Sequence, residues 1–579
     1  MERRLLISLP SSSTLIRGRR VSFPLRWRNL PRHAFARKYT TSNVPGEASD
    51  DVVFRYDSRR WIYNERLRLA ERYLKFDIKQ LKSVAAASIG HIEADVVDFR
   101  KLAEGGFNRT FEITMRDGLQ VIARLPYPST SPKHYATASE VATMDFVRSY
   151  GIPVPKIYAY SATSRNPVGA EYIIMEKVGG KELGGSWFLM SSKERLKIIS
   201  KIVEMESLLF SITLPASGSI YYKRDLDPRV ENMNIPEMGE GGQFCIGPDA
   251  HYRWWYKERA LLRIDRGPYR ISKDLLRAVG NRELTWMTQC AEPRFPFEAL
   301  YREIYNHQRV SPDDHTKALS DYVRISEYLA PRETRLNRPI LRHPDLQPNN
   351  LFVSDSMDVL GVIDWQHCSA LPLFLHAGPP KYFQNYGDVE SEQLVEPRLP
   401  GNFAQLSAQK QDAERELYRR RQLHFFYVTT TAKLNEDHFD ACSLDHVVLR
   451  QRLVQDAGAP WEGDNVTLKA DLIRATQEWP ELASAESGDD PKCPLTYSAA
   501  EIESCLKLDW KQKEANSCMN DARRRLGINI EGWVPAEGFQ EAKALSEKLK
   551  AEAMEVAETG LEREEIQSHW PFDNHDENG

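Results

Sequence analysis

No stretch of this 579-residue chain approaches the roughly 18 consecutive apolar residues that a membrane-crossing helix requires. The seven cysteines, at 245, 290, 368, 442, 493, 505 and 518, are scattered and none forms C-x-x-C. Neither a zinc site nor a disulfide framework is indicated, and free thiols in a reducing compartment are expected. No internal repeat is found. Acidic residues are almost missing from the first 39 positions, where nine Arg and one Lys face a single acid, Glu2. A basic, Ser-containing, acid-poor start is the composition of an organelle transit peptide. A secretory signal needs a continuous apolar core, and Leu5-Leu6-Ile7 is too short for one. Arg37-Lys38-Tyr39 ahead of Thr40 reads as a mitochondrial processing site, so the mature protein is expected in the mitochondrial matrix after cleavage near Tyr39-Thr40. The competing reading of this segment is a disordered basic tail that binds nucleic acid or acidic lipid. Its removal takes away ten basic residues and one acidic residue, so the net charge moves from -4 to -13. An acidic mature protein argues against nucleic acid as partner.

Apolar residues make up 41% of the chain and there are 12 Trp, ample for a core; the length suggests two lobes with extensions. The organising stretch is Arg342-His343-Pro344-Asp345-Leu346-Gln347-Pro348-Asn349-Asn350, followed by the short apolar strand Leu351 to Val353. Asp355 to Asp358 makes a bend, and a second apolar strand returns from Val359 to Ile363 and ends on Asp364. Asp345, Asn350 and Asp364 are thereby brought to one end of a two-stranded ribbon. Phosphoryl transfer from a nucleotide needs this set: one Asp to orient or deprotonate the attacking hydroxyl, and an Asn and a second Asp to hold Mg²⁺ through oxygen. Asp, Pro and Asn are also ordinary turn formers, but turn chemistry does not account for the second Asp at the strand end.

The motif H-x-D-x-x-x-x-N with a following I-D-W resembles the aminoglycoside phosphotransferase (APH) family, and the string E-G-G-F-N-R-T-F at 104–111 is close to the glycine loop of fungal APH-like proteins. The resemblance covers roughly residues 95–400 and implies an α+β, bilobal protein-kinase-like (APH) fold: a small lobe on a five-stranded antiparallel sheet and a large, mainly helical lobe. It divides the chain into 1–39 transit peptide, 40–95 linker and helical extension, 96–178 small lobe, 179–482 large lobe, and 483–579 C-terminal extension with a charged helix and an acidic tail. The large lobe holds an insertion at 213–340 and the catalytic segment at 342–365. The tail, Asp573 to Glu577, is expected to be disordered. The helix from Phe539 to Gln567 is a candidate surface for a protein partner.

The resemblance also implies ATP and Mg²⁺ as cofactors and assigns roles to residues. Gly105, Gly106 and Asn108 line the loop over the phosphates, where the absence of Cβ lets backbone N–H groups approach oxygen. Arg124 stands where the kinase fold puts a Lys and grips phosphate with its planar fork. Glu140, on the following helix, pairs with that cation. The C=O of Glu176 and the N–H of Val178 meet the adenine edge. Asn350 and Asp364 are the metal ligands, Asp345 the base or orienting group, and His343 a brace for the turn. The function implied is transfer of the ATP γ-phosphoryl group to a hydroxyl of a small molecule. Two other readings stay open at this point. One is a catalytically weak or inactive kinase-like binding or maintenance factor, suggested by Arg in the Lys position and by the large insertions. The other is transfer to a protein hydroxyl, against which H-P-D in place of H-R-D and the lack of an A-P-E-like segment both count. The aromatic and arginine clusters of 213–340 could bind a ring or a phosphate, with packing the preferred reading.

Overall fold

The computed structural model describes residues 50–236, 242–464, 466–483 and 491–577; the expected transit peptide and its cleavage site lie outside them. Alternating apolar residues build the small lobe. Strands β1 (Val96–Glu104), β2 (Asn108–Met115), β3 (Gln120–Pro126), β4 (Ile157–Ser161) and β5 (Tyr172–Glu176) form one antiparallel sheet of five strands in the order β1-β2-β3-β5-β4. The β2–β3 hairpin closes at Asp117-Gly118, where Gly118 has φ +88° and Asp117 Oδ1 accepts the Leu119 N–H at 3.0 Å. A left-handed φ of that size is open to glycine without steric cost.

Alternation sends the sheet's side chains to two different partners. Phe111, Ile113, Val121, Ala123 and Leu125 pack under the N-terminal extension, against Phe54, Trp61, Leu81 and Ala85. Ile122, Ile173 and Met175 face helix α1 (Tyr135–Ser149), whose Val141, Met144, Phe146 and Val147 are buried and continue into the core of the large lobe. The extension contains more than the expected helices. Its strand Arg59–Trp61 pairs antiparallel with Trp533–Pro535, so the two ends of the described chain meet beside the small lobe.

In the large lobe, helix α2 (Ser192–Ser211) opens on a capping box between Ser191 and Glu194 and packs against α3 (Ala408–Leu434). The segment 213–340 holds a three-stranded sheet and two long helices, Ser272–Cys290 and Asp313–Ile325. Its aromatic and arginine residues are largely engaged with one another. Trp255 stacks on Tyr135 at 5.0 Å and lies under the Arg266 guanidinium at 3.9 Å, while Trp254 is buried. The C-terminal extension contains a 28-residue helix, α4 (Ala499–Leu526), capped by Ser498 and Glu501.

The expectation of a disordered acidic tail is corrected. Asn574 Oδ1 accepts the Asn64 N–H at 2.6 Å, Asn64 Nδ2 donates to the His575 carbonyl at 2.9 Å, and Glu577 pairs with Arg68. Arg302 adds a bond to the Asp576 carbonyl at 3.0 Å. Arginines on two distant segments supply the counter-charge that composition alone did not reveal.

Candidate active site

The sharp turn ahead of strand β6 (Leu351–Val353) is fixed by its own side chains. His343 Nε2–H donates to the Ile363 carbonyl at 2.9 Å, and its Nδ1 accepts the Asp345 N–H at 3.2 Å. Both ring nitrogens are thus spent on backbone. Burial lowers the His343 pKa from its usual range, which keeps the ring neutral in this bracing role. Asn350 Nδ2 donates to the Asp345 carbonyl at 2.8 Å. Strand β7 (Val359–Val362) pairs back onto β6 with Leu351 opposite Val362, and Ile363 N–H reaches the Asn350 carbonyl at 3.0 Å. Asp364 follows with φ +70°, a left-handed turn that ends the strand. Asp345, Asn350 and Asp364 therefore share one end of the hairpin. Asp345 is exposed, with Gln347 Nε2 donating to its Oδ2 at 2.5 Å.

The hairpin is seated by two buried contacts. Gly361 lies against Val178, where an added Cβ would come within 2.7 Å of a methyl carbon, so only glycine lets the strand approach the segment after β5 this closely. Arg342, directly before His343, is held by Glu206 Oε1 at 2.7 Å, the Tyr427 hydroxyl at 2.9 Å and the His376 carbonyl at 2.5 Å. Glu206→Ala would leave that guanidinium buried without an anion. A loss of about 3–5 kcal/mol is expected, read as a fall in the urea midpoint of unfolding.

From the small lobe, the loop Gly105–Phe107 closes with Gly105 N–H on the Asn108 carbonyl at 2.8 Å. Its stem is a buried ion pair that sequence reading missed: Arg109 Nε and Glu104 Oε1 at 2.8 Å, both side chains fully buried. Glu104 Oε2 also accepts the N–H groups of Asp57 and Ser58 at 2.9 Å each, and Arg109 Nη1 donates to the Val53 carbonyl at 2.8 Å. The extension thus grips the loop's two roots. At the tip, the Phe107 ring meets His367 at 5.1 Å and Tyr252 at 6.2 Å, so the loop touches the large lobe.

Arg124 is the centre of the charge network. It pairs with Glu140, reaches Asp364 Oδ1 at 2.5 Å and Gln366 Oε1 at 3.3 Å. The Asn108 amide, turned so that its oxygen faces the guanidinium, accepts from Nη2 at 2.7 Å and Nε at 3.1 Å. Burial pushes the Glu140 carboxyl up to about 7, against the pull of Arg124. Burial acts the same way on Asp364, but there the guanidinium prevails and the pKa lies below the usual carboxylate value. Gln366 was not singled out from sequence, although it follows the I-D-W motif directly.

A folded-state pKa near 7 on an acid of ordinary value 4.5 has a definite sign. Between those values the native carboxyl keeps a proton that the unfolded chain has released, so this group's contribution to stability falls as pH rises from about 4.5 to about 7. Unfolding midpoints of the wild type, compared with Glu140→Gln across that window, are expected to decline relative to the variant.

The structure therefore brings together His343, Asp345, Asn350 and Asp364 on the hairpin, and Asn108, Arg124 and Glu140 with Asp364 across the lobes. Gly105 and Gly106 lie on the adjoining loop. Glu176 ends β5, with its carboxylate accepting the Lys156 N–H at 3.0 Å, and Val178 stands behind Gly361. The donor set suits Mg²⁺: the Asn350 amide nitrogen faces Asp345, which turns Oδ1 away, and Asp364 supplies a carboxylate. Two hard oxygen ligands leave the remaining positions for water and phosphate oxygens, which is how Mg²⁺ is usually held.

No protein-family model matches the chain. A subtelomeric hrmA-associated cluster protein of Aspergillus fumigatus is 32% identical over 514 residues, spanning 83% of this chain and 97% of that protein. Altered inheritance of mitochondria protein 9 of Saccharomyces cerevisiae is 24% identical over 586 residues, spanning 89% of this chain and 90% of that protein. Among solved structures, the amicoumacin kinase hAmiN in complex with AMP-PNP, Ca²⁺ and Ami is 14% identical, covers 79% of this chain and 94% of that one, and superposes with a TM-score of 0.29.

Proposed function

The chain belongs to the family of the subtelomeric hrmA-associated cluster protein of Aspergillus fumigatus and is similar to altered inheritance of mitochondria protein 9, and from that premise we propose that it is an APH-like enzyme that transfers the γ-phosphoryl group of ATP to a hydroxyl of a small molecule in the mitochondrion. The observation that carries this is the convergence of Asp345, Asn350 and Asp364 at one end of the hairpin, with Asp364 bonded across the lobes to Arg124. A mitochondrial address is supported by the basic, acid-poor segment 1–39 and by the name of the yeast relative.

In this reading, exposed Asp345 accepts the proton of the acceptor hydroxyl or aims its oxygen at phosphorus. Asn350 and Asp364 would hold Mg²⁺, which would supply positive charge to offset the negative charge that spreads over the transferring group. Gly105, Gly106 and Asn108 cover the phosphates from above. Arg124 exchanges its bond to Asp364 for the α/β-phosphates and stays steadied by Glu140. The C=O of Glu176 and the N–H of Val178 meet the adenine edge. His343 holds the turn and takes no proton. Residues 40–579, incubated with γ-labelled ATP, Mg²⁺ and a mitochondrial small-molecule extract, are expected to transfer label to a small molecule. Absence of labelled product beyond that made by Asp345→Asn would refute transfer to a small molecule.

A further inference from the structure

The glycine loop is held from outside the site. Its roots are the fully buried side chains of Glu104 and Arg109, and both reach the N-terminal extension. Glu104 Oε2 accepts the Ser58 N–H at 2.9 Å and the Ser58 hydroxyl at 2.8 Å, and Arg109 Nη1 donates to the Val53 carbonyl at 2.8 Å. Lifting the loop while the extension stays behind would strip buried charges of these bonds, which is costly. A swing of the whole small lobe is no easier. The buried residues of helix α1 continue into the core of the large lobe, so that motion would break close apolar packing. The loop is free to move at its roots only together with the extension.

The extension is pinned in turn. Arg59, Arg60 and Trp61 pair with Pro535, Val534 and Trp533, and the Ser58 carbonyl accepts the Ala536 N–H at 3.2 Å. Ser58 therefore binds the loop root with its N–H and the seam with its C=O. The Ile62 N–H carries the seam on to the Gly532 carbonyl at 3.0 Å, and the Arg59 guanidinium lies over the Trp533 ring at 3.9 Å. Gly532 has φ +79°, and a Cβ there would stand 2.6 Å from the Tyr63 ring. The other side of the seam belongs to the C-terminal extension, which is fixed to the large lobe. Arg523 Nη2 meets Glu298 Oε1 at 3.1 Å, and the Tyr301 hydroxyl donates to Asn516 Oδ1 at 2.5 Å. Contacts thus run from the large lobe, through the seam, to the roots of the loop.

We propose that this seam, 58–63 against 532–536, is a latch on the glycine loop. Closed, it keeps Phe107 down on His367 and Tyr252. Open, it frees the loop for the entry and exit of nucleotide. A ladder of three paired residues is short enough to part locally without unfolding either lobe. The passage of nucleotide rests on the phosphotransferase reading; the coupling of seam to loop does not.

The test is hydrogen–deuterium exchange of the full chain, wild type beside Gly532→Val and Trp533→Ala. The first drives a side chain into the Tyr63 ring at a left-handed φ, and the second removes the ring under Arg59. Either variant suffices if the other fails to fold. The amides of 105–109 are expected to exchange at least about fivefold faster than in the wild type, with those of the catalytic hairpin, 351–353 and 359–362, unchanged. A merely structural role would speed both sets together. Fluorescently labelled ADP is expected to leave the variants faster by a similar factor. If the wild type binds no ADP, the phosphotransferase reading fails and the exchange comparison still decides the latch. Unchanged exchange at 105–109, or equal acceleration of the hairpin, would overturn the proposal. ADP release at the wild-type rate from a variant whose loop exchanges faster would overturn its role in nucleotide passage.

Discussion

Asp345→Asn is expected to lower phosphoryl transfer by about 10²–10⁴-fold, the range that a positioned general base contributes, while leaving ATP affinity nearly unchanged. The separation follows from where Asp345 is anchored. Its backbone is held by the His343 ring at 3.2 Å and by Asn350 Nδ2 at 2.8 Å, and neither bond uses the carboxylate. Asn keeps the size of the side chain, and with its oxygen toward Gln347 Nε2 it keeps that contact too. What is lost is the basic oxygen. Asp345 is exposed, so the amide carries no burial penalty and the variant should fold as the wild type does. A fall in kcat with an unchanged Kd for ATP separates this chemical role from a structural one. A variant that transfers phosphate at the wild-type rate would remove Asp345 from the mechanism.

Arg124→Met is expected to act on stability and on nucleotide binding at once, and a second substitution separates the two effects. The side chains of Arg124 and Glu140 are 11% and 3% exposed. Removing the cation leaves a buried carboxyl without its partner; burial already raises that carboxyl to about 7, so near neutral pH it stays protonated in the variant and the loss is that of an unsatisfied buried polar group, about 1–3 kcal/mol. It also removes the fork assigned to the α/β-phosphates, so ATP affinity should drop by about tenfold or more, as expected for a charge-assisted pair. In Arg124→Met with Glu140→Gln the carboxyl that must hold a proton to stay buried is gone, and stability should return, most fully above about pH 7. The affinity should not. The pair is close enough to couple, so the double variant must be read as a cycle and not as a sum. Recovery of ATP binding along with stability would show that Arg124 acts through the fold alone.

The parts of the molecule legible in the sequence are those whose signal is local. Turn formers at 342–350 and the apolar run at 359–363 place Asp345, Asn350 and Asp364 on one hairpin because strand pairing does the rest. The five-stranded sheet follows from alternation and from the Asp117-Gly118 turn. Contacts between distant segments were not legible. Arg124 and Asp364 are 240 positions apart, and nothing near either one announces the other. The same holds for Phe107 on His367 and for Glu104, whose acceptors are filled by residues 46 and 47 positions earlier. The tail was misread because net charge was judged without the arginines that meet it. Helix α4 carried a readable start in Ser498 and Glu501, but its long polar faces hid the apolar stripe of Cys505, Ala515, Met519 and Ala522.

The central claim is a working nucleotide site with a metal held at Asp364, and it is tested most directly by thermal shift of residues 40–579 with ATP, with and without Mg²⁺, beside Asp364→Ala. A ligand that binds only the folded state stabilises it by on the order of a few kcal/mol at saturation. The account predicts a rise in Tm that requires Mg²⁺ and disappears in Asp364→Ala. A chain that shows no rise, or one indifferent to both Mg²⁺ and Asp364, would contradict it and mark the protein as a kinase-like binding factor.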